Sequence, residues 1–493
     1  MRWMLLIFFA SLTMTHAQER PNFILVMGDD HGWSETGYNG HPHLKTPVLD
    51  EMAARGLRLD HFYAAHPSCS PTRASVLTGR HPNRCGTFAP GWSIRPEEIT
   101  IAHLLSEAGY LCGHFGKWHL GAVKAESPLN PAAMGFDAYV SHDNFYEMDP
   151  EMSRNGGAPE VLEGEGSEVT IAETLKFIDR AHEEGKPFLA VVWFGSPHEP
   201  YSGLEKDLTL YNDLPIEYEQ RKVRLTSMKT GKPTERVLRA VLRERYAEIT
   251  AMDRSIGYLR DHLEMSGLRD NTVLWYCGDN GSPSSSGRVE TPLRGQKGTM
   301  YEGGIRVPGL IEWPARIAKG RLSVLNAVTS DMLPTLCDLA GVAIPQRPLD
   351  GVSLAPLLTG EMTQRPPICF WSYPSKRITA HTPELKPWID PLLQEGTTKL
   401  VKYMGTKRTR SFRNFHQPEI TEADYGGSRV LLDADHKLVI DGNENIELFD
   451  LGKDRSEGMD IHESQSELAL KLQKQLRSWQ ASVLQSLRAG DYP

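Results

Sequence analysis

The sequence predicts an α/β protein: a large, mostly parallel sheet flanked by helices on both faces, with a smaller C-terminal α+β subdomain. Three observations point there. Four short apolar runs each end in polar residues, helical stretches lie between them, and the texture changes from about residue 365. Runs of this length, bounded by turn formers, read as buried parallel strands. Strands that alternate with helices imply a parallel sheet covered on both sides.

Taken in order, residues 1–17 stand apart from the fold. Arg2 precedes an apolar stretch from Leu5 to Leu12, and Thr15-His16-Ala17 offers small residues at the −3 and −1 positions of a cleavage site. That is the form of a secretory signal peptide, because the apolar run is too short to cross a bilayer. No later stretch approaches the roughly 18 apolar residues of a membrane helix. The expectation is an exported chain, periplasmic or secreted, with no transmembrane segment.

The predicted strands are Phe23 to Met27, Tyr110 to Phe115, Phe188 to Phe194 and Val273 to Cys277. They lead into Gly28-Asp29-Asp30, Gly116-Lys117-Trp118-His119, Ser196-Pro197-His198 and Gly278-Asp279-Asn280. Tyr246, Ile249, Met252, Ile256, Leu259 and Leu263 recur three and four apart, which predicts an amphipathic helix. The unit over 18–364 is the candidate catalytic domain. Over 365–493, strand-like runs (Ile368 to Tyr373, Arg429 to Asp433, Lys437 to Ile440) precede a closing helix from about Ser464 to Leu487. Its start is marked by a Ser464/Glu467 capping box.

The net charge of −9 argues against general nucleic-acid binding. The six cysteines show no CxxC spacing, which argues against a zinc site and leaves any disulfide unassigned.

In an open α/β sheet, ligands bind beyond the carboxyl ends of the strands, so the four polar clusters are expected to converge on one site. Asp29, Asp30, Asp279 and Asn280 supply hard oxygen donors that suit Ca²⁺, with Mg²⁺ second. Asn280-Gly281-Ser282 also has the form of a glycosylation sequon, a reading in conflict with the end of a buried strand. Cys69-Ser70-Pro71-Thr72-Arg73 precedes a helical run ending at Thr78-Gly79. With Pro71 at the first helical position and Gly79 just past the end, Cys69 falls at a helix N-terminus, where an anion is favoured.

Cys69-x-Pro71-x-Arg73, continued by Ala74-Ser-Val-Leu-Thr78-Gly79-Arg80, resembles the signature of type I sulfatases of the alkaline phosphatase superfamily. The resemblance implies that a maturation enzyme oxidises Cys69 to formylglycine (3-oxoalanine). The hydrated aldehyde then attacks sulfur, and its other hydroxyl expels sulfate by collapse to the aldehyde. A thiolate would be a soft ligand among hard oxygen donors, which agrees with such a modification.

The resemblance runs over nearly the whole mature chain. It implies that Lys117 holds sulfate oxygens and that His119 holds the nucleophile and takes its proton as sulfate is expelled. It implies that His198, in Pro197-His198-Glu199-Pro200, contacts sulfate and acts as acid toward the leaving alcohol. Lys297, in Arg294-Gly295-Gln296-Lys297-Gly298, would pair with sulfate oxygens, and Arg73 completes the cationic clamp. Asp331 to Leu336, Leu349-Asp350-Gly351 and Glu447 to Leu451 are similar to structural features of the family.

The expected substrate is a sulfated carbohydrate, of ulvan or carrageenan type or a glycosaminoglycan. By position, His142, Asn144, Glu199 and Tyr201 are candidate substrate contacts. Between Lys399 and Arg413 lie Lys402, Lys407, Arg408 and Arg410, with Tyr403, Phe412 and Phe415 among or beside them. This stretch reads either as a wall for a polyanionic sugar or as a solvated basic loop. The rival functions are a phosphonate or phosphate ester hydrolase of the same superfamily and a catalytically silent glycan-binding protein.

Overall fold

In the computed structural model, residues 20–492 are described apart from 318, 377, 379–384, 405 and 418. The expected signal peptide lies outside the described residues. The larger sheet is built from β1 (Asn22–Gly28), β2 (Leu57–Leu59), β3 (Leu111–Lys117), β4 (Ala138–His142), β5 (Glu151–Arg154), β6 (Glu160–Val161), β7 (Phe188–Trp193), β8 (Thr272–Gly278), β9 (Gly309–Glu312) and β10 (Arg321–Ser323). Across the sheet the order is β10-β2-β9-β8-β1-β7-β3-β4-β5-β6.

The five central strands, β8-β1-β7-β3-β4, all run parallel. Antiparallel pairings occur on both flanks, so the ten-stranded sheet is mixed with a parallel centre. The four apolar runs supply β1, β3, β7 and β8, and the polar clusters follow directly at their carboxyl ends.

Alternation along β1 shows how both faces are covered. Phe23, Leu25 and Met27 join a core containing Ala74, Val76 and Leu77 of helix α1 (Cys69–Thr78). Ile24 and Val26 face the other way, into a core with helices α2 (Gly166–Glu183) and α3 (Leu238–Met265). A strand buried on both sides reads as a continuous apolar run, because neither face meets water. All six apolar residues that predicted α3 are buried in that second core.

The C-terminal part contributes a separate antiparallel sheet, β11 (Ile368–Trp371), β12 (Arg429–Asp433), β13 (His436–Ile440) and β14 (Ile446–Asp450), in that order. Helix α4 (Ser466–Leu487) lays Ala469, Leu472 and Leu476 against Leu431, Leu438 and Leu448. The predicted capping box does not form. The helix starts two residues later, Gln465 precedes it without a side-chain cap, and Ser464 Oγ instead donates to the Ile461 carbonyl at 3.0 Å. The cause is local: Ser464 is spent closing the turn before the helix.

Candidate active site

Helix α1 brings Cys69 to the strand ends. Ser68 is extended and Cys69 is the first helical residue, so Pro71 occupies the third helical position rather than the first. It is still within the first turn, where a missing N–H costs nothing. Gly79 ends the helix at φ 68°, the left-handed conformation expected of it.

Cys69 Sγ lies 3.3 Å from Asp29 Oδ1 and 3.9 Å from Asp30 Oδ1. The ends of β1, β7 and β8 are tied by Asp29 N to the Ser196 carbonyl at 2.9 Å and Asp279 N to the Gly28 carbonyl at 3.0 Å. Asp30 itself is left-handed, φ 64°, and its N–H donates to Asp279 Oδ1 at 2.9 Å. A non-glycine residue held there stores roughly 1–3 kcal/mol, a cost met where the surroundings over-determine the backbone. Arg245 of α3 does much of that, donating to the Asp30 carbonyl at 2.6 Å, to both oxygens of Glu35 and to the Pro197 carbonyl.

Cations surround the carboxylates. Arg73, 0% exposed, donates to Asp279 Oδ2 at 2.8 Å and to the Lys117 carbonyl at 3.0 Å. Lys117 Nζ bonds Asp29, and Lys297 Nζ reaches Asp30 Oδ1 at 2.6 Å and Oδ2 at 2.7 Å. Lys297 arrives on a loop pinned at both ends of the site: its N–H donates to the Ser282 carbonyl and that of Gly298 to Pro67, each at 2.9 Å. His198 Nε2 stands 3.7 Å from Asp30 Oδ2. Its Nδ1 donates to the Glu199 carbonyl at 2.6 Å, and its ring stacks on Phe145 at 4.4 Å between centroids.

Electrostatics follow from this packing. Burial pushes Asp29 up, but Lys117, His198, Arg73 and Lys297 outweigh it and hold the carboxyl below its ordinary range. Asp30 is lowered in the same way, with Lys297 and His198 overcoming burial. Asp279 is pushed up to about 7 by burial and by the charge of Asp29. Burial, with Asp279 and Asp29, raises the Cys69 thiol well above its usual value, so the unmodified side chain is a neutral thiol rather than a thiolate. Burial lowers His198 to about 3, and burial with Lys117 lowers His119 well below its ordinary value.

Two groups are conspicuous for what they do not bond. Among the described residues, neither ring nitrogen of buried His119 has a protein partner, and neither does Asn280 Oδ1. Asn280 is 0% exposed, which removes the sequon reading. Its Nδ2 donates to Asp30 Oδ1 at 2.8 Å, leaving the amide oxygen as a free acceptor among the described residues. Oxygen or sulfur atoms of Asp29, Asp30 and Cys69, together with a ring nitrogen of His198, lie within 4.8 Å of one another.

The four substrate-contact candidates have different surroundings. His142 has both ring nitrogens engaged: Nδ1 accepts from Asn144 N at 3.0 Å and Nε2 donates to the Lys399 carbonyl at 3.2 Å. Tyr201 is buried on Ser285, 2.8 Å away, and Arg245. Glu199 pairs with Lys402 at 2.6 Å. Only Asn144 keeps a buried oxygen without a partner. The basic stretch divides similarly. Lys399, Lys407 and Arg413 are exposed, whereas Lys402 and Arg410 are buried.

Sequence reasoning does not single out Arg245, which lies far from any motif, or Glu35, five residues beyond Asp30. An arginine among the polar positions of α3 carries no local mark of its role.

A family model described as Sulfatase matches residues 21–342. The chain is similar to human arylsulfatase A, 33% identical over 379 residues, covering 72% of this chain and 71% of that one. It is also similar to the dog N-acetylgalactosamine-6-sulfatase, 30% identical over 410 residues, covering 74% and 71%. A solved structure of Ps i-CgsB in complex with k-i-k-neocarrahexaose superposes with a TM-score of 0.74 at 21% identity, covering 94% of this chain and 93% of that one. The chain belongs to the sulfatase family. It is a sulfuric ester hydrolase, and the likeness to the solved structure extends the shared fold through the C-terminal sheet.

Proposed function

We propose that this sulfatase hydrolyses sulfate monoesters of a carbohydrate, a sulfated polysaccharide or its oligosaccharides, using a formylglycine made from Cys69 and a calcium ion. The reading is carried by one observation: a cysteine at a helix N-terminus lies among buried carboxylates, lysines and histidines brought by four strand ends and the loop of Lys297. Relatives named for N-acetylgalactosamine 6-sulfate and a neighbour bound to a carrageenan-type oligosaccharide support a sugar as the alcohol.

The residues present fit a hard divalent cation. Asp29, Asp30 and Asp279 are carboxylates, and Asn280 Oδ1 is a buried acceptor with no protein donor. These four would hold it, with Cys69 after conversion. Bound there, the cation would polarise sulfate oxygens, and the hydrated aldehyde would supply the oxygen nucleophile. Lys117 and Lys297, which here bridge to Asp29 and Asp30, are the groups such a cation would release toward the substrate's sulfate oxygens. Arg73 stays behind the carboxylates, its charge opposing the effect of burial on Asp29 and Asp279. His119, whose ring nitrogens have no partner among the described residues, takes the nucleophile's proton as sulfate leaves.

His198 is oriented as the acid for the leaving alcohol, with Nδ1–H fixed on the Glu199 carbonyl and Nε2 facing the site. A substrate anion near Nε2 favours the imidazolium and so opposes the effect of burial. Maturation by an oxidising enzyme and export, periplasmic or secreted, belong to the same reading.

The test measures sulfate release from a panel of sulfated glycans and compares an aryl sulfate with an aryl phosphate. The aryl sulfate should be preferred by orders of magnitude. Chelation should abolish turnover, and Ca²⁺ should restore it better than Mg²⁺. A phosphate preference would instead assign the protein to ester hydrolysis of the phosphate or phosphonate kind, and no turnover of either would favour a glycan-binding role.

A further inference from the structure

Arg410 is a buried guanidinium without a counter-charge. It is 8% exposed, yet among the described residues no carboxylate lies within ion-pair distance of it. Among the described residues its Nε has no hydrogen-bond partner, and its one polar side-chain contact there is Nη1 on the sulfur of Met404 at 3.0 Å, a weak acceptor. Burying an unpaired charge is costly, so a fold that keeps one holds it for a partner of opposite sign.

The arginine is held in place by its backbone. The Gly396 N–H donates to its carbonyl at 2.7 Å, and two residues on, Phe412 N donates to the Gln394 carbonyl at 2.9 Å. Arg413 N then donates to the Gly91 carbonyl and Ser93 N to the Arg413 carbonyl, at 3.0 and 2.9 Å. Gly91, at φ 90°, makes room for the side chain: a Cβ there would lie 2.4 Å from Arg410 Nη2.

The segment that carries this guanidinium packs against the site, with the Phe412 ring 6.1 Å from that of His119. Yet Arg410 pairs with none of Asp29, Asp30 and Asp279, unlike Arg73, Lys117 and Lys297. It is therefore offset from the carboxylate and lysine cluster. Asn144, 2% exposed and also on Met404 sulfur (3.9 Å), holds nearby an Oδ1 without a partner among the described residues, an acceptor that suits a sugar hydroxyl rather than an anion.

We propose that Arg410 forms a subsite for a second anionic group of the substrate. That group is a carboxylate or a further sulfate ester, on the same sugar as the hydrolysed sulfate or on the next one. A planar guanidinium suits either oxyanion bidentately, whereas neutral hydroxyls would leave its charge uncompensated. The subsite rests on the carbohydrate-sulfatase reading and narrows it to substrates carrying more than one negative charge.

The experiment compares kcat/KM for 4-nitrophenyl sulfate, a singly sulfated neutral sugar, a doubly sulfated sugar, and a sulfated disaccharide containing a uronate. Wild-type enzyme should prefer one of the doubly charged sugars, and which one identifies the anion. Arg410→Gln should raise KM for it by about 10- to 100-fold, the worth of a charge-assisted hydrogen bond, while the first two substrates change less than about 3-fold. Arg410→Lys, with charge but no fork, should recover part of the loss and stands in should the glutamine variant fail to fold.

Equal loss on all four substrates would overturn the subsite, placing Arg410 on the scissile sulfate or in the fold. No loss on any would overturn it too. Wild-type enzyme that desulfates singly and doubly charged sugars alike removes this subsite and leaves the carbohydrate reading standing. Enzyme that hydrolyses 4-nitrophenyl sulfate but no sugar sulfate removes both.

Discussion

The pocket around Cys69 and the wall around Arg410 are buried to a similar degree but wired differently. At Cys69 nearly every charge has a partner of opposite sign: Arg73 with Asp279, Lys117 with Asp29, Lys297 with Asp30. At Arg410 the charge has none, and its neighbour Asn144 keeps a bare oxygen. The paired cluster is built on strand ends and one helix N-terminus, which a sheet holds rigidly. The unpaired wall is irregular backbone pinned to the catalytic unit through Gly91 and Ser93. On the proposed reading, chemistry common to sulfate esters sits on the first, and choice among esters belongs to the second.

The largest effect expected is at the paired cluster. Cys69→Ala and Asp279→Ala should remove turnover of every substrate, by at least about 10⁴-fold, the scale of losing a nucleophile in an enzyme whose catalytic groups act as a unit. The peptide containing position 69, from a host able to convert it, should show an aldehyde or its hydrate by mass. Fully active enzyme bearing only the thiol would break the assignment.

A second perturbation asks whether the C-terminal sheet serves both regions. Lys437 of β13 is 0% exposed between Glu302 at 2.9 Å and Glu457 at 2.8 Å. Glu457 also accepts from the Glu302 N–H at 2.7 Å, and Arg294 and Tyr301 both bond Glu447 of β14. This network braces the loop that carries Lys297. Removing one member of a buried ionic group typically costs about 3–5 kcal/mol. Lys437→Met should therefore lower the unfolding free energy by that order in a denaturant titration, and should weaken aryl sulfate hydrolysis through Lys297. Retained stability would show that the network contributes little.

The contrast between the regions also explains what was legible in the sequence. β1, β3, β7 and β8 announced themselves as apolar runs because both faces of a central parallel strand are buried. Asp29, Lys117, His198 and Asp279 followed because strand ends are where an α/β sheet puts its ligands. The antiparallel flanks were less visible, since strands as short as Leu57–Leu59 carry too few residues for a pattern. Arg245, which braces Asp30 and Pro197, sits on a helix whose periodicity reports only its apolar face. In the basic stretch, composition could not separate Arg410 from exposed Lys407, because their difference comes from tertiary pinning and not from local sequence. Likewise the Ser464/Glu467 pattern was sound as a pattern, but the turn at Ile461 claimed the hydroxyl.

The smallest effect expected discriminates most sharply between the two regions. Gly91 touches no catalytic group, and its left-handed φ together with the closeness of Arg410 Nη2 makes it intolerant of a side chain. Gly91→Ala should cost about 1 kcal/mol of stability from the backbone conformation and should displace the guanidinium. On 4-nitrophenyl sulfate the variant should match wild type, because Lys117, Lys297 and His198 are undisturbed. On a doubly charged sugar, KM should rise by roughly 10-fold, the worth of a weakened charge-assisted contact, with kcat unchanged. A fall in kcat on both substrates would mean that the wall and the paired cluster are mechanically one, and that binding and chemistry in this sulfatase are not divided between them.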